Sequence, residues 1–499
     1  MADRIGSYAT RTTQGPLSIA DGGDTFFVAI TAQRGPINVP VTIYSLSQFR
    51  RLFGEAVTYA SGTRLSVARH LMEVWFSKRG SKVVVVRVVG AGAAIASTTV
   101  VDREGVPVDT LKVDAIGPGT DYNAYTFTLA AGTIANSVKL TLFDGDGNKL
   151  EEHDNLVMTD ASLDVASDYI KLTNLDSVTA APDNLPATGT YDLGDTTPGA
   201  DDNDPIAADI VGTEALGVKT GLKAFRDRSL GRGFMVAPNL DTDPTVVAEL
   251  DAQSEKFYRI PLYSSDAGAS VAQAVTQRDA HAAPLSAFYF PRAVRTDPTN
   301  GERCAIPVTA HVVADHLNTI EVKGPGKAPA GTDYRVDFVD GLEKQANGLP
   351  LVDEAVAEYL NANRVNVAWK RGPGAPQILG ARTCSLESGW TYLHGSYLWI
   401  LIADNITRAL DRLAFENASD PDFLPSVEDG VYGYLADLHE QGAFRGQLVN
   451  PGERAVPEKH SFGFSIETDA GSGTVTVKIW FREAITGETI VVELAKHTA

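Results

Sequence analysis

"KVVVVRVV" (Lys82–Val89) is the stretch whose reading decides the fold. Four consecutive valines leave no polar alternation, so a strand here has no solvent face and must be covered on both sides. Helices on both faces of a sheet provide that cover, and the preceding sequence supplies them. Leu65, Ala68, Leu71, Met72, Trp75 and Phe76 recur at three- and four-residue spacing, which predicts a helix over Arg64–Arg79. Before it, "SLSQFRRLFGE" predicts a short helix capped by Ser47, with Phe49, Leu52 and Phe53 on one face and Gly54 at its end. "TFFVAITA" (Thr25–Ala32) is a second apolar strand. Strand, helix, helix, strand is the start of an α/β core.

From Ala91 the style changes to short alternating segments, "YTFTLAA", "SVKLTLFD" and "DYIKLTNL", which predict a small antiparallel β module. Residues 91–209 hold 21 acidic side chains against five basic ones, so −16 of the chain's −20 sits in this stretch. Charge segregated in that way marks a separate, solvent-facing unit. "LGDTTPGADDNDP" (Leu193–Pro205) reads as its linker, after which helix and strand alternation resumes through "GFMVAP", "FYRIPLYSS", "LSAFYFP" and "VNVAWK". At 499 residues the chain is too long for one core. The expected organisation is an arm (1–22), a first part of the α/β core (23–90), an inserted acidic β domain (91–205), a second part of the core (206–370) and a C-terminal domain (371–499).

Bulk properties exclude several classes. A net charge of −20 argues against coating nucleic acid. No window reaches 18 apolar residues, and "MADRIGSYAT" lacks the apolar centre of a signal peptide. Two cysteines, Cys304 and Cys384, build no disulfide framework and are expected as buried free thiols in a reducing compartment.

Catalytic and metal motifs are missing as well. "FDGDGNKLEEHDN" places Asp144, Asp146 and Asn148 at alternate positions, but Lys149 and Asn155 stand where a calcium loop needs Gly and Glu, so a hairpin turn is the better reading. "GPGK" (Gly324–Lys327) is too short for a phosphate loop. His311 and His316 are five residues apart, where helical zinc ligands sit four apart. There is no Gly-x-Ser-x-Gly elbow. No catalytic residue, metal or cofactor is assigned.

"ILGARTCSLESGWTYLHGSYLWILIADNITRALDRLAFENASD" (Ile378–Asp420) is where an enzyme would set its chemistry, between a strand end and a long helix. The helix, Tyr397–Glu416, reads as two faces. Trp399, Ile402, Ala403, Ile406, Ala409, Leu410 and Leu413 form an apolar stripe, and Asp404, Arg408, Asp411 and Arg412 form a polar one. That polar face serves either solvent or a partner.

These segments together resemble the sheath proteins of contractile phage tails and related injection systems. "GAPQILGARTCS" (Gly374–Ser385), "WTYLHGSYLWILIADNITRAL" (Trp390–Leu410) and "LADLHEQGAFRG" (Leu435–Gly446) are similar to the sheath strand, long helix and Leu-rich helix in that order. "GKAPAG" (Gly326–Gly331), "APLSAFYFP" (Ala283–Pro291) and Thr25–Glu55 extend the likeness to most of the chain outside the acidic insertion. The resemblance implies an α/β (α+β) sheath core of mixed sheets flanked by helices, with the small antiparallel β domain inserted and extended terminal arms. It implies a structural subunit that polymerises around an inner tail tube protein, meets baseplate and tail terminator proteins, and contracts to drive the tube through a cell envelope. The expected setting is a virion tail assembled in the host cytoplasm, with a non-phage injection system or an enzyme without recognisable motif as alternatives. Cations on the C-terminal domain, Arg408, Arg412 and Arg445, are the candidate tube contacts. "ETIVVEL" supplies the candidate inter-subunit strand, Thr489, Ile490, Val491, Val492, Glu493 and Leu494.

Overall fold

The computed structural model describes residues 17–55, 67–202, 204–239, 241–298, 301–413, 422–469 and 474–484. Its central sheet comprises β1 (Asp24–Ile30), β2 (Val41–Ile43), β3 (Val83–Arg87), β4 (Arg232–Val236), β5 (Arg259–Ser264), β6 (Ala287–Phe290), β7 (Val365–Trp369) and β8 (Gln377–Leu379). Their spatial order is β2-β3-β1-β4-β5-β6-β7-β8. The inner strands β3 to β7 run parallel, and the edge strands β2 and β8 are antiparallel to their neighbours. Along β1 and β3 the side chains alternate between two cores: Phe26, Val28, Val83 and Val85 enter one, while Phe27, Ala29, Val84 and Val86 enter the other. The valine run is unbroken because neither face of its strand meets water.

Eight helices of eight residues or more cover the sheet among the described residues: α1 (Leu46–Phe53), α2 (Ala68–Ser77), α3 (Pro244–Phe257), α4 (Val271–Asp279), α5 (Thr309–Lys323), α6 (Glu354–Ala362), α7 (Leu393–Asp411) and α8 (Phe423–Glu440). Phe49, Leu71, Val312, Leu398 and Val427 put α1, α2, α5, α7 and α8 on one face; Leu250, Ala274 and Leu360 put α3, α4 and α6 on the other. The cap of α1 is Ser45, not Ser47. Ser45 is extended and accepts from the Gln48 amide, so the helix starts before Ser47 and encloses it in the first turn. α5 escapes a reading by apolar spacing because Thr309, His311 and His316 on its buried side are polar.

Between β3 and β4 the chain builds two four-stranded antiparallel sheets. One contains Ile95–Val101, Asp109–Pro118, Ser162–Leu163 and Ile170–Asn174; the other contains Thr126–Ala131, Val138–Phe143, Lys149–Leu156 and Gly189–Asp192. They enclose a third core around Tyr122, Phe127, Leu140 and Leu172. Asp144 turns the hairpin between Phe143 and Lys149 by accepting from the Asp146 and Asn148 amides at 3.0 and 2.8 Å.

The stretch Leu193–Pro205 corrects the expectation of a loose linker. It recrosses the first sheet through the bridges Ser97–Thr197 and Ala94–Ala200, and Asp201 and Asp202 cap backbone amides. Asp202 accepts from the Gly92 amide at 2.8 Å and Asp201 from the Thr120 amide at 3.1 Å. A run of Asp and Gly reads as loose in sequence, but those carboxylates are bound to main chain.

Candidate assembly interface

A doubly wound sheet offers its ligand crevice outside the carboxyl ends of the strands, where the strand order reverses. Here that point lies between β1 and β4. It is bordered by Ile30, Thr31, Val88 and Asn239 and filled by Val67, Ala68, Pro205 and Ile210, which leave a cavity of ≈ 20 Å³. That is room for about one water molecule. The inserted module is anchored beside it by Arg87, a fully buried residue at the end of β3. Arg87 donates through Nε to the Ala32 carbonyl (3.1 Å) and through Nη1 to those of Gly35 (2.8 Å) and Pro118 (2.7 Å). Burial pushes its pKa down to about 10, which leaves the guanidinium charged at neutral pH. Asp121 of the module pairs with Arg34 and accepts from Gln33 Nε2 at 3.0 Å, and the Gly35 amide donates to the Tyr122 hydroxyl at 3.2 Å. Gly117 packs so tightly that a Cβ there would lie 2.0 Å from the Gly35 carbonyl oxygen. The crevice is occupied by structure.

A second buried arginine organises the opposite ends of the strands. Asp24 and Arg232 open β1 and β4 as register partners, and Arg232 Nε lies 2.9 Å from Asp24 Oδ1. Arg232 Nη1 donates to Asn405 Oδ1 at 2.8 Å and reaches Asp404 Oδ2 at 3.4 Å, both on α7, while Nη2 pairs with Asp21. Tyr397 donates to Asp24 Oδ2 (2.8 Å), and Asn405 Nδ2 donates to the Tyr434 hydroxyl of α8 (2.9 Å). Burial raises the Asp24 carboxyl pKa against the pull of Arg232. At Asp21 burial acts the same way, but Arg232 prevails and holds that carboxyl below its usual range.

This network alters the reading of α7. Asp404, expected on a polar outer face, is 3 % exposed and points to Arg232. Leu398, Leu401, Ile402, Ile406 and Ala409 are buried, whereas Trp399, Ala403 and Leu410 from the expected core stripe are only half-buried. The helix is rotated relative to a simple two-faced reading because a buried cation attracts its carboxylate inward.

The candidate cations are placed differently from one another. Arg408 Nε binds Asp404 at 2.9 Å with its side chain about a third exposed, since Gly22 of the N-terminal segment lies against it. Arg412, at the C-cap of α7, is exposed. Arg445 is exposed too; its backbone amide donates to the Arg482 carbonyl, and its charge pulls down a Glu483 carboxyl that burial pushes up to about 7. Thr489–Leu494 lies outside the described residues. Away from this network, His311 and His316 are buried with pKa values pushed down by desolvation to about 4 and about 3. Cys304 and Cys384 are buried and unbridged. Among the described residues no helix is long and apolar enough to cross a membrane.

Leading into the last segment are β9 (Phe462–Asp469) and β10 (Thr474–Phe481), paired over eight residues from Phe462–Phe481 to Asp469–Thr474. Phe464, Ile466, Val477, Ile479 and Phe481 lean on the core from one face. Ser465, Glu467, Thr476 and Lys478 form the other, tied by Lys478–Glu467 at 2.7 Å. Among the described residues this sheet has only two strands, so the outer edge of each carries no neighbouring strand. Unpaired edges are templates for another strand.

No family model and no curated protein matches the sequence. Solved structures do match the fold. A sheath tail protein from Listeria innocua aligns over 94 % of each chain at a TM-score of 0.61 and 12 % identity. The sheath of an extracellular contractile injection system, PVC, in the contracted state aligns over 100 % of this chain and 98 % of its own, at 0.55 and 14 %. The contracted helical sheath of the anti-feeding prophage aligns over 100 % of both chains at 0.55 and 14 %. The fold is that of contractile sheath subunits. Within this sheath fold, the Arg232 network joins the N-terminal segment to β4, α7 and α8.

Proposed function

We propose that the chain is the structural subunit of a contractile sheath, polymerising helically around an inner tube and contracting to drive that tube through a target envelope. The observation that carries this reading is the structural likeness to helical sheath subunits, in an alignment that covers 100 % of this chain. The filled crevice at the strand-order reversal supports a non-enzymatic role. In this reading the terminal arms add strands to the β9–β10 edges of neighbouring copies, a form of strand addition in which main-chain hydrogen bonds give the affinity. Tube, baseplate and terminator proteins are the proposed further partners, and a virion tail the proposed location. A non-phage injection system fits the same geometry. Electron microscopy of the purified chain tests the central claim: wide hollow tubes are expected, and a uniform small oligomer would overturn it.

The acidic module is proposed to face outward and to be dispensable for polymerisation. Replacing residues 91–202 with a short Gly/Ser loop should preserve tubes, because the module has its own core and leaves the sheet intact. Stability should nonetheless fall, since Arg87 loses the Pro118 carbonyl and Arg34 loses Asp121. Loss of all assembly in a folded variant would place the module in the subunit contacts.

Arg408, Arg412 and Arg445 are the proposed tube contacts, with Arg412 and Arg445 the exposed members. Weak surface charge suits a contact that must release, since exposed ion pairs contribute about 0–1 kcal/mol each. The double variant Arg412→Glu/Arg445→Glu should still form sheath-only tubes and fail to co-assemble with tube protein, most clearly at low salt. Normal co-assembly at low salt would move the contact elsewhere.

A further inference from the structure

We infer that Asp21, Gly22 and Gly23 form a latch that holds the N-terminal segment from Leu17 onto the subunit, closed on Arg232 and Asn405. The assembly half of this inference rests on the sheath reading; the latch itself does not. Asp21 has a side chain 63 % exposed, yet its carboxylate pairs with a guanidinium that is fully buried. One residue on, the Gly22 amide donates to Asn405 Oδ1 at 3.2 Å. A Cβ on Gly22 would come within 3.3 Å of the Arg408 guanidinium carbon, so the main chain lies directly on that side chain. Upstream, the Leu17 amide donates to the Ser426 carbonyl of α8 at 3.1 Å. The Leu17 carbonyl oxygen lies 2.4 Å from where a Cβ on Gly430 would stand, so α8 accepts the segment only because it carries glycine there.

Three features make this a latch and not simply part of the core. Gly23 adopts φ +71° with no atom within 4 Å of its would-be Cβ, which gives a pivot between β1 and the segment. Beside that pivot is a cleft of ≈ 570 Å³ lined by Gly23, Lys82, Glu321, Tyr434 and Gln441, so among the described residues the segment is packed from one side. If Asp21 departs, Arg232 keeps Asp24 and Asp404, so opening leaves no buried cation unpaired. The segment can therefore open without the core opening. Closed, it holds Leu17 against α8 in one orientation, which lowers the ordering that docking on a neighbour requires.

The test uses the full chain carrying Asp21→Ala, with Asp21→Glu as the charge-retaining control. Hydrogen exchange of dissociated subunits should speed up about tenfold at the Leu17 and Gly22 amides, while β4 and α7 keep their protection. Asp21→Glu should restore most of it. The critical concentration for tube formation should rise about fivefold in Asp21→Ala, the effect of one partly exposed ion pair. Unchanged exchange would overturn the latch; faster exchange with an unchanged critical concentration would overturn its part in assembly. If the unaltered protein forms no tubes, the sheath reading fails, and the exchange data still decide the latch.

Discussion

Deleting Thr486–Ala499 is expected to leave a folded, soluble protein that forms no tubes. The cut falls beyond β10 and beyond the Phe444–Glu483 bridge, so every described core keeps its residues. What is removed includes "ETIVVEL", expected from its sequence to be a strand, after a hairpin whose outer edges have no neighbouring strand among the described residues. Donation of about five backbone hydrogen bonds, at a net 0.5–1.5 kcal/mol each, is worth roughly 2.5–7.5 kcal/mol per contact. Losing it should raise the critical concentration by about two to five decades. Sedimentation and negative-stain microscopy read the assembly, and circular dichroism melting of the same sample reads the fold. Normal tubes from a truncated chain with an unchanged melt would sink strand donation.

Much of the fold was legible because the strongest patterns in the sequence are local. "KVVVVRVV" has one physical solution, and the alternating "SVKLTLFD" falls on the strand Val138–Phe143. What escaped depended on partners distant in sequence. α5 hides behind polar residues that the fold buries, with His316 Nδ1 3.1 Å from the Tyr334 hydroxyl. The aspartates of Leu193–Pro205 look solvent-seeking until the amides they cap, more than a hundred residues away for Gly92, are brought beside them.

The same limit governs the site. Helical periodicity correctly placed Ile402, Ile406 and Ala409 inside, but it assigned Asp404 outside because charge alone favours water. Only Arg232, 172 residues earlier, reverses that preference. Arg232 itself stands in "GRGFMVAP" with no local sign of burial, as does Arg87 within the valine run. A buried arginine at the end of a strand is visible in sequence only as a cation interrupting an apolar segment. At both positions it marks where another part of the chain is tied to the sheet.

Arg232→Met should be among the most destabilising single changes in the core. Methionine keeps an unbranched stem of similar reach, so packing is largely preserved and the lost term is the charge. Asp24 and Asp404 are almost fully buried and both then lose their shared cation, although Asp404 keeps its pairing with Arg408. Removing one partner from a buried charged cluster costs about 3–5 kcal/mol. For the sheet core, larger than about 250 residues, that corresponds to a drop of at most roughly 6–10 °C in melting temperature. The acidic module, with a separate core, should melt as before. The pH dependence separates charge from packing. Burial already raises the Asp24 carboxyl with Arg232 present, and without the cation it must rise further. A group with a folded-state pKa above its unfolded value stabilises at pH below the unfolded value, and that contribution is lost as pH rises through the folded one. The deficit of Arg232→Met against the unaltered chain should therefore be largest at neutral pH and shrink toward pH ~4. Adding Asp24→Asn and Asp404→Asn should recover part of it at pH ~7, because neutral amides need no counter-charge. A deficit that stays constant with pH and resists the double amide change would assign Arg232 to packing, and with it the coupling of the N-terminal segment, β4 and α7 to shape instead of charge.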